Sequence, residues 1–191
     1  MSDYQIINPI AGMQNIGDTS TTQNQVLGTI VQANDVASTA YGAGMFIYLS
    51  GVASTVLGSW VTFHQDDNTT ALLAANAIGP VGVSMSINVA SQYGWYQIYG
   101  KGVGKCLASY ADNGLVYATS TAGSIDDAVV SGDRGKLAIG ASAIDTPSTG
   151  LAELRSNIRL WMTAPPRKGI SPRNLDASKG ASLFNLWRRQ K

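Results

Sequence analysis

Residues 94–100 read Gly-Trp-Tyr-Gln-Ile-Tyr-Gly. In an extended chain Trp95, Gln97 and Tyr99 fall on one face of this run and Tyr96 and Ile98 on the other. Aromatic and β-branched residues at a period of two, closed by a glycine at each end, predict a β-strand. Working outward, runs of the same texture recur on both sides: VLGTIVQA from Val26, GMFIYLSG from Gly44, SWVTFHQ from Ser59 and VGVSMSINVA from Val81. Beyond the first run come GKCLASY from Gly104, GLVYATS from Gly114, GKLAIGASA from Gly135 and NIRLWMT from Asn157. Short strands at regular spacing, separated by Gly, Asn, Asp and Ser, predict an all-β domain, a compact β-sandwich or a tulip-like β-barrel.

The composition agrees. Of 191 residues, 45% are hydrophobic and only 13% charged, against about 25% in an average globular chain, and 21 are glycine. This is enough apolar material for one core, and the length suits one domain with appendages. The sequence divides into an extended N-terminal arm (1–24), a β-rich domain (25–163) and a basic C-terminal tail (164–191), the last set off by Ala164-Pro165-Pro166, which cannot continue a ladder. Within the domain, Val83, Met85, Ile87 and Val89 alternate with Ser84, Ser86 and Asn88 and predict a half-buried strand. Asn113-Gly114 predicts a tight turn with positive φ. Thr69–Ala77 has helix-forming composition and is expected as one short helix or an ordered loop.

Catalytic chemistry is thinly supplied. The one histidine, His64, lies in a strand-like run, and the one cysteine, Cys106, reads as a small core residue, so a nucleophile–base dyad between them is disfavoured. Two His/Cys residues are too few for a structural zinc site. The acid pairs Asp66-Asp67 and Asp126-Asp127 lack calcium-loop spacing and read as solvated turns. Gly100–Lys105, GKGVGK, departs from the phosphate-loop pattern in spacing and in the residue after the lysine, and reads as a Gly-rich strand or bulge. No catalytic residue, metal or cofactor is assigned, and the chain is expected not to be an enzyme. Nor is there a run near the roughly 18 apolar residues of a membrane span, and the lone cysteine suits synthesis in a reducing cytoplasm.

Charge is unevenly placed. Residues 1–166 carry six Lys/Arg and eleven Asp/Glu, a net of −5, whereas residues 167–191 carry seven Lys/Arg and only Asp176, a net of +6. The tail joins Arg167, Lys168 and Arg173 to a terminal segment in which Leu183, Phe184, Leu186 and Trp187 precede Arg188 and Arg189. Apolar then basic, this segment predicts docking on a partner protein. Nucleic acid is the less favoured partner, because the acidic body would oppose close approach of a duplex.

Residues 94–143 resemble a pattern in small structural proteins of tailed bacteriophages. A G-W-x-Q-x-x-G strand (Gly94, Trp95, Gln97, Gly100) is followed by a G-x-x-Y strand (Gly114, Tyr117), a T-A-G-x-x-D-D-A turn (Thr121, Ala122, Gly123, Asp126, Asp127, Ala128) and a closing strand with Gly140. The resemblance implies a capsid decoration, or cement, protein. Such a protein is a β-rich knob, a homotrimer or other homo-oligomer, bound to the outside of the virion capsid and bridging major capsid protein subunits. The alternative is a tail-associated or host-surface-binding module, in which Tyr93, Trp95, Tyr96 and Tyr99 would be exposed to contact a receptor. The basic tail is not part of the resembling pattern.

Overall fold

A computed structural model describes residues 3–37, 41–140, 142, 148–154 and 160–162. In chain order the strands are β1 (Tyr4–Ile6), β2 (Thr19–Ser20), β3 (Ile30–Asp35), β4 (Ala43–Ser50), β5 (Trp60–Phe63), β6 (Thr70–Leu72) and β7 (Gly79–Ser84). They continue as β8 (Tyr93–Cys106), β9 (Leu115–Ala118), β10 (Ile125–Asp126), β11 (Arg134–Gly140), β12 (Ser148–Leu154) and β13 (Leu160–Met162). The fold is all-β, with no helix among the described residues. One large sheet runs β1-β3-β4-β8-β10-β9-β11-β13-β7-β5-β6, with β12 added to β11 and β8, and β2 to β8. Its pairings are antiparallel except the single contact of β10 with β8. β7 also pairs with β8, β1 and β6 remain separate edges, and among the described residues the sheet is not closed into the barrel that was one expected form.

The sheet is organised on β8, whose 14 residues pair with β4 and β7 in its first half and with β12 in its second. The alternation read in Gly94–Gly100 holds from Trp95 to Ile98, where a bulge interrupts it, but both faces are buried. Trp95 packs with Tyr4, Ile16, Phe46 and Tyr48 on one side, and Tyr96 and Ile98 with Ile47, Leu49 and Val61 on the other. A third cluster gathers Trp60, Leu73, Val81, Val83, Cys106, Tyr110 and Ile125. Gln97 shares the Trp95 face and is 1% exposed. A register shift against β4 between Met45 and Phe46 makes Ile98 the extra residue of a bulge. The Gln97 amide answers it by donating to the carbonyls of Tyr99 (3.2 Å) and Lys101 (3.1 Å). The glycines of GKGVGK make that possible: Gly100 holds φ +102°, and a Cβ on Gly102 would collide with the Gln97 carboxamide. The Gly-rich run is thus strand, one of the two forms expected of it, and the bulge precedes it at Ile98.

Elsewhere the structure departs from the sequence reading. Thr69–Ala77 contains no helix, because Thr70–Leu72 pairs with β5 as one arm of a hairpin whose turn holds Asn68 at φ +57°. The half-buried strand expected through Val89 ends at Ser84, and its faces are reversed beyond it: Ser86 and Asn88 are buried while Ile87 is 60% exposed. The reversal is stabilised locally. Asn88 Nδ2 donates to the Tyr96 hydroxyl at 3.0 Å, and Gly51 and Gly94 pack against Asn88 with no room for a Cβ. The Asn113-Gly114 turn forms with Asn113 at φ +60° and a Gly114 N–H to Ala111 carbonyl bond of 3.0 Å.

Candidate functional site

Residues 3–24 carry β1 and β2 with turns between them, and they are tied to the body. β1 pairs with β3, β2 pairs with β8, and Tyr4 and Ile16 are in the core. Gln14, 7% exposed, is the hub of the attachment. Its amide donates to the carbonyls of Asp18 (2.7 Å) and Tyr93 (3.1 Å), its side-chain oxygen accepts from Tyr48 Oη (3.0 Å) and Asn24 Nδ2 (3.2 Å), and its main-chain carbonyl accepts from Trp95 Nε1 (2.9 Å). The sequence reading missed this, because a polar, turn-rich stretch carries no periodic signal that one of its glutamines is buried.

Held in this way, the N-terminal segment forms one wall of an open groove of about 960 Å³. Ile6, Pro9 and Met13 line it from the segment; Leu57, Met85 and Ile87 line it from the loops after β4 and β7. Asp3 and Asp18 stand exposed in the lining, which contains no Lys or Arg among the described residues. Ser86, 7% exposed, also lines it, and its hydroxyl has no hydrogen-bond partner among the described residues. The groove combines an apolar floor with negative charge. That is chemistry for holding an apolar segment that carries positive charge.

The other candidates sort by position. His64 lies just beyond β5 in the hairpin turn, 65% exposed at its side chain, with Nδ1 3.7 Å from Asp67 and 3.8 Å from Asp66. The Thr69 main-chain N–H and hydroxyl, donating to Asp67 at 3.0 and 2.8 Å, hold that carboxyl below the usual carboxylate range. Cys106 is buried in the Trp60–Tyr110 cluster with its thiol 3.5 Å from the Gly104 carbonyl, so the structure does not bring it together with His64. Asp126 and Asp127 close the T-A-G-x-x-D-D-A turn, where Asp127 accepts from the Ala111 N–H at 2.9 Å. Among the described residues no group of three or more His, Cys, Asp and Glu is placed to hold a metal ion.

The aromatic receptor face is corrected. Trp95 and Tyr96 are fully buried and Tyr93 is half-buried, leaving Tyr99, 39% exposed, as the one ring of the four that faces solvent. The period-two pattern was right, but a strand covered on both faces hides both sets. The tail residues Arg167, Lys168, Arg173, Leu183, Phe184, Leu186, Trp187, Arg188 and Arg189 lie outside the described residues. Comparison with protein-family models, with curated proteins and with solved structures finds no match to this chain.

Proposed function

We propose that this chain is a virion structural protein of a tailed bacteriophage, bound to the outside of the capsid, where it stabilises the shell by bridging major capsid protein subunits. The observation that carries the reading is that the residues of the resembling pattern fall on four strands that are neighbours in the sheet, β8-β10-β9-β11, or in the turns that adjoin them, and have structural jobs there. Trp95 anchors the N-terminal segment and Gln97 fills the bulge of β8. Gly123, at φ +75°, accepts from the Trp60 N–H and donates to the Leu73 carbonyl. Gly140 leaves space for the Tyr110 ring. A pattern made of scaffold residues suits a protein whose work is done by its surface and its arms.

The opposed charges, −5 on residues 1–166 and +6 on residues 167–191, support the second element of the proposal. The tail is an arm that adds charge-complementary and apolar contact to the attachment of a rigid knob, raising occupancy through linkage rather than through one large interface. Homotrimers or another homo-oligomer would present several such arms at once. Deletion of residues 165–191, followed by counting copies on purified capsids, tests the reading. Loss of occupancy is expected, and unchanged occupancy removes the tail from the attachment.

A further inference from the structure

We infer that the groove beside the N-terminal segment is the seat of the chain's own C-terminal segment Leu183–Arg189, delivered from the same or a neighbouring copy. The inference rests on the reading of the tail as a docking arm and gives that arm its receptor.

Two properties of the groove match the segment. Its floor is apolar, with Ile6 and Met13 half-buried and Ile87 exposed along it, and the segment offers Leu183, Phe184, Leu186 and Trp187 in five positions. Asp3 and Asp18 give the lining two negative charges with no described basic residue to neutralise them, and Arg188 and Arg189 follow the apolar residues directly. Reach is sufficient. Leu183 lies 21 residues beyond Met162, the end of β13, a span of up to about 70 Å at ~3.3 Å per residue, whereas a domain of this size has a radius of gyration of about 15 Å.

Chymotrypsin digestion of the free, full-length protein at low salt reads the seat directly, because Phe184 and Trp187 are its sites in the segment. A seated segment is expected to be cut at least about tenfold more slowly than a synthetic peptide of residues 178–191. Charge reversal at Asp3→Lys with Asp18→Lys is expected to abolish most of that protection, as is Arg188→Asp with Arg189→Asp, and combining all four is expected to restore it. The tail reversal leaves the body untouched, so a folding defect in the Asp3/Asp18 variant does not obscure the result. A photo-crosslinker at position 187 is expected to label Met13, Ile87 or their neighbours. Protection that rises with protein concentration assigns the seat to a neighbouring copy, and protection that does not assigns it to the same chain. Cleavage at the peptide's rate, or crosslinks confined to other surfaces, overturns the inference. Because the digestion needs no capsid, a protected tail whose deletion leaves occupancy unchanged would sink the capsid role of the tail and keep the groove. An unprotected tail whose deletion lowers occupancy would do the reverse.

Discussion

The indole nitrogen of Trp95 donates to the main-chain carbonyl of Gln14 across 2.9 Å, joining residues 81 apart in sequence. This bond pins the N-terminal segment near the start of β8, the longest described strand, and the Gln14 side chain adds Tyr48, Asn24 and the carbonyls of Asp18 and Tyr93 to the same knot. Gln14→Ala leaves the Tyr48 hydroxyl buried without its acceptor and is expected to cost about 1–3 kcal/mol in denaturant unfolding. The loss should be local as well as global: hydrogen exchange of residues 4–20 should accelerate more than that of β4. Equal acceleration everywhere would mean that the segment and the body unfold as one unit.

Backbone closeness supplies a second test. A Cβ on Gly51 would overlap the carbonyl oxygens of Val89 and Asn88, and one on Gly140 would overlap the buried Tyr110 ring. Neither neighbour is a free side-chain end, so Gly51→Ala and Gly140→Ala are each expected to destabilise by about 1–3 kcal/mol or more. At Gly17 nothing lies within 4 Å of an added Cβ and φ is not positive. Gly17→Ala should therefore be neutral or stabilising by a few tenths of a kcal/mol, through loss of unfolded-state freedom. Midpoints of urea unfolding for the three variants rank these sites.

The strands were legible in the sequence because they are short, β-branched and punctuated, and Gly94–Gly100 is strand, alternating as read from Trp95 to its bulge at Ile98. What the sequence hid is which faces are wet. The alternation of Val83–Val89 predicts a polar outer face, yet Ser86 and Asn88 turn inward, because Asn88 finds the Tyr96 hydroxyl and glycines at 51 and 94 make room for it. Gln97 is buried for a similar reason, a bulge and three glycines, Gly44, Gly100 and Gly102, that only the folded pairing brings together. Likewise Leu72 and Leu73, helical by composition, are claimed by β5 and by the Trp60 cluster. The groove was illegible because its walls come from four separate stretches of chain, and one of them, the N-terminal segment, is held by side-chain hydrogen bonds that leave no periodicity.

Alkaline pH should unfold the protein cooperatively. Burial pushes Tyr4 and Tyr96 up to about 12, and Tyr110 is raised further, also chiefly by burial. In the unfolded chain these phenols ionise near pH ~10. The folded state therefore binds more protons than the unfolded state above that pH, so the stability these groups contribute is complete below pH ~10 and falls as pH rises toward 12. Tyrosinate absorbance, followed together with circular dichroism, should show a step in which ionisation and loss of β-structure coincide. Tyr96→Phe should flatten the fall in stability across that window, and an unchanged slope would show that Tyr96 ionises without unfolding.

Asp133 links two loops at one end of the sheet. It is 2% exposed, and its carboxylate accepts the Asn76 main-chain N–H at 2.7 Å while its own carbonyl accepts from the Ala118 N–H at 2.9 Å. Asn76 is held at φ +62°, and its main-chain N–H is bonded to the Asp133 side chain. Asp133→Ala removes that acceptor and is expected to cost about 1.5–3 kcal/mol, the range for hydrogen bonds to charged groups, whereas Asp133→Asn keeps an acceptor oxygen and should cost less. The Ala75 N–H is bonded to Thr119, and the Gly123 N–H to the Leu73 carbonyl, so the damage should spread from residues 74–78 into 119–123. Hydrogen exchange on Asp133→Ala should show faster exchange at both loops, with β4 unchanged until global unfolding. Acceleration confined to residues 130–134 would mean that the carboxylate serves only its own turn.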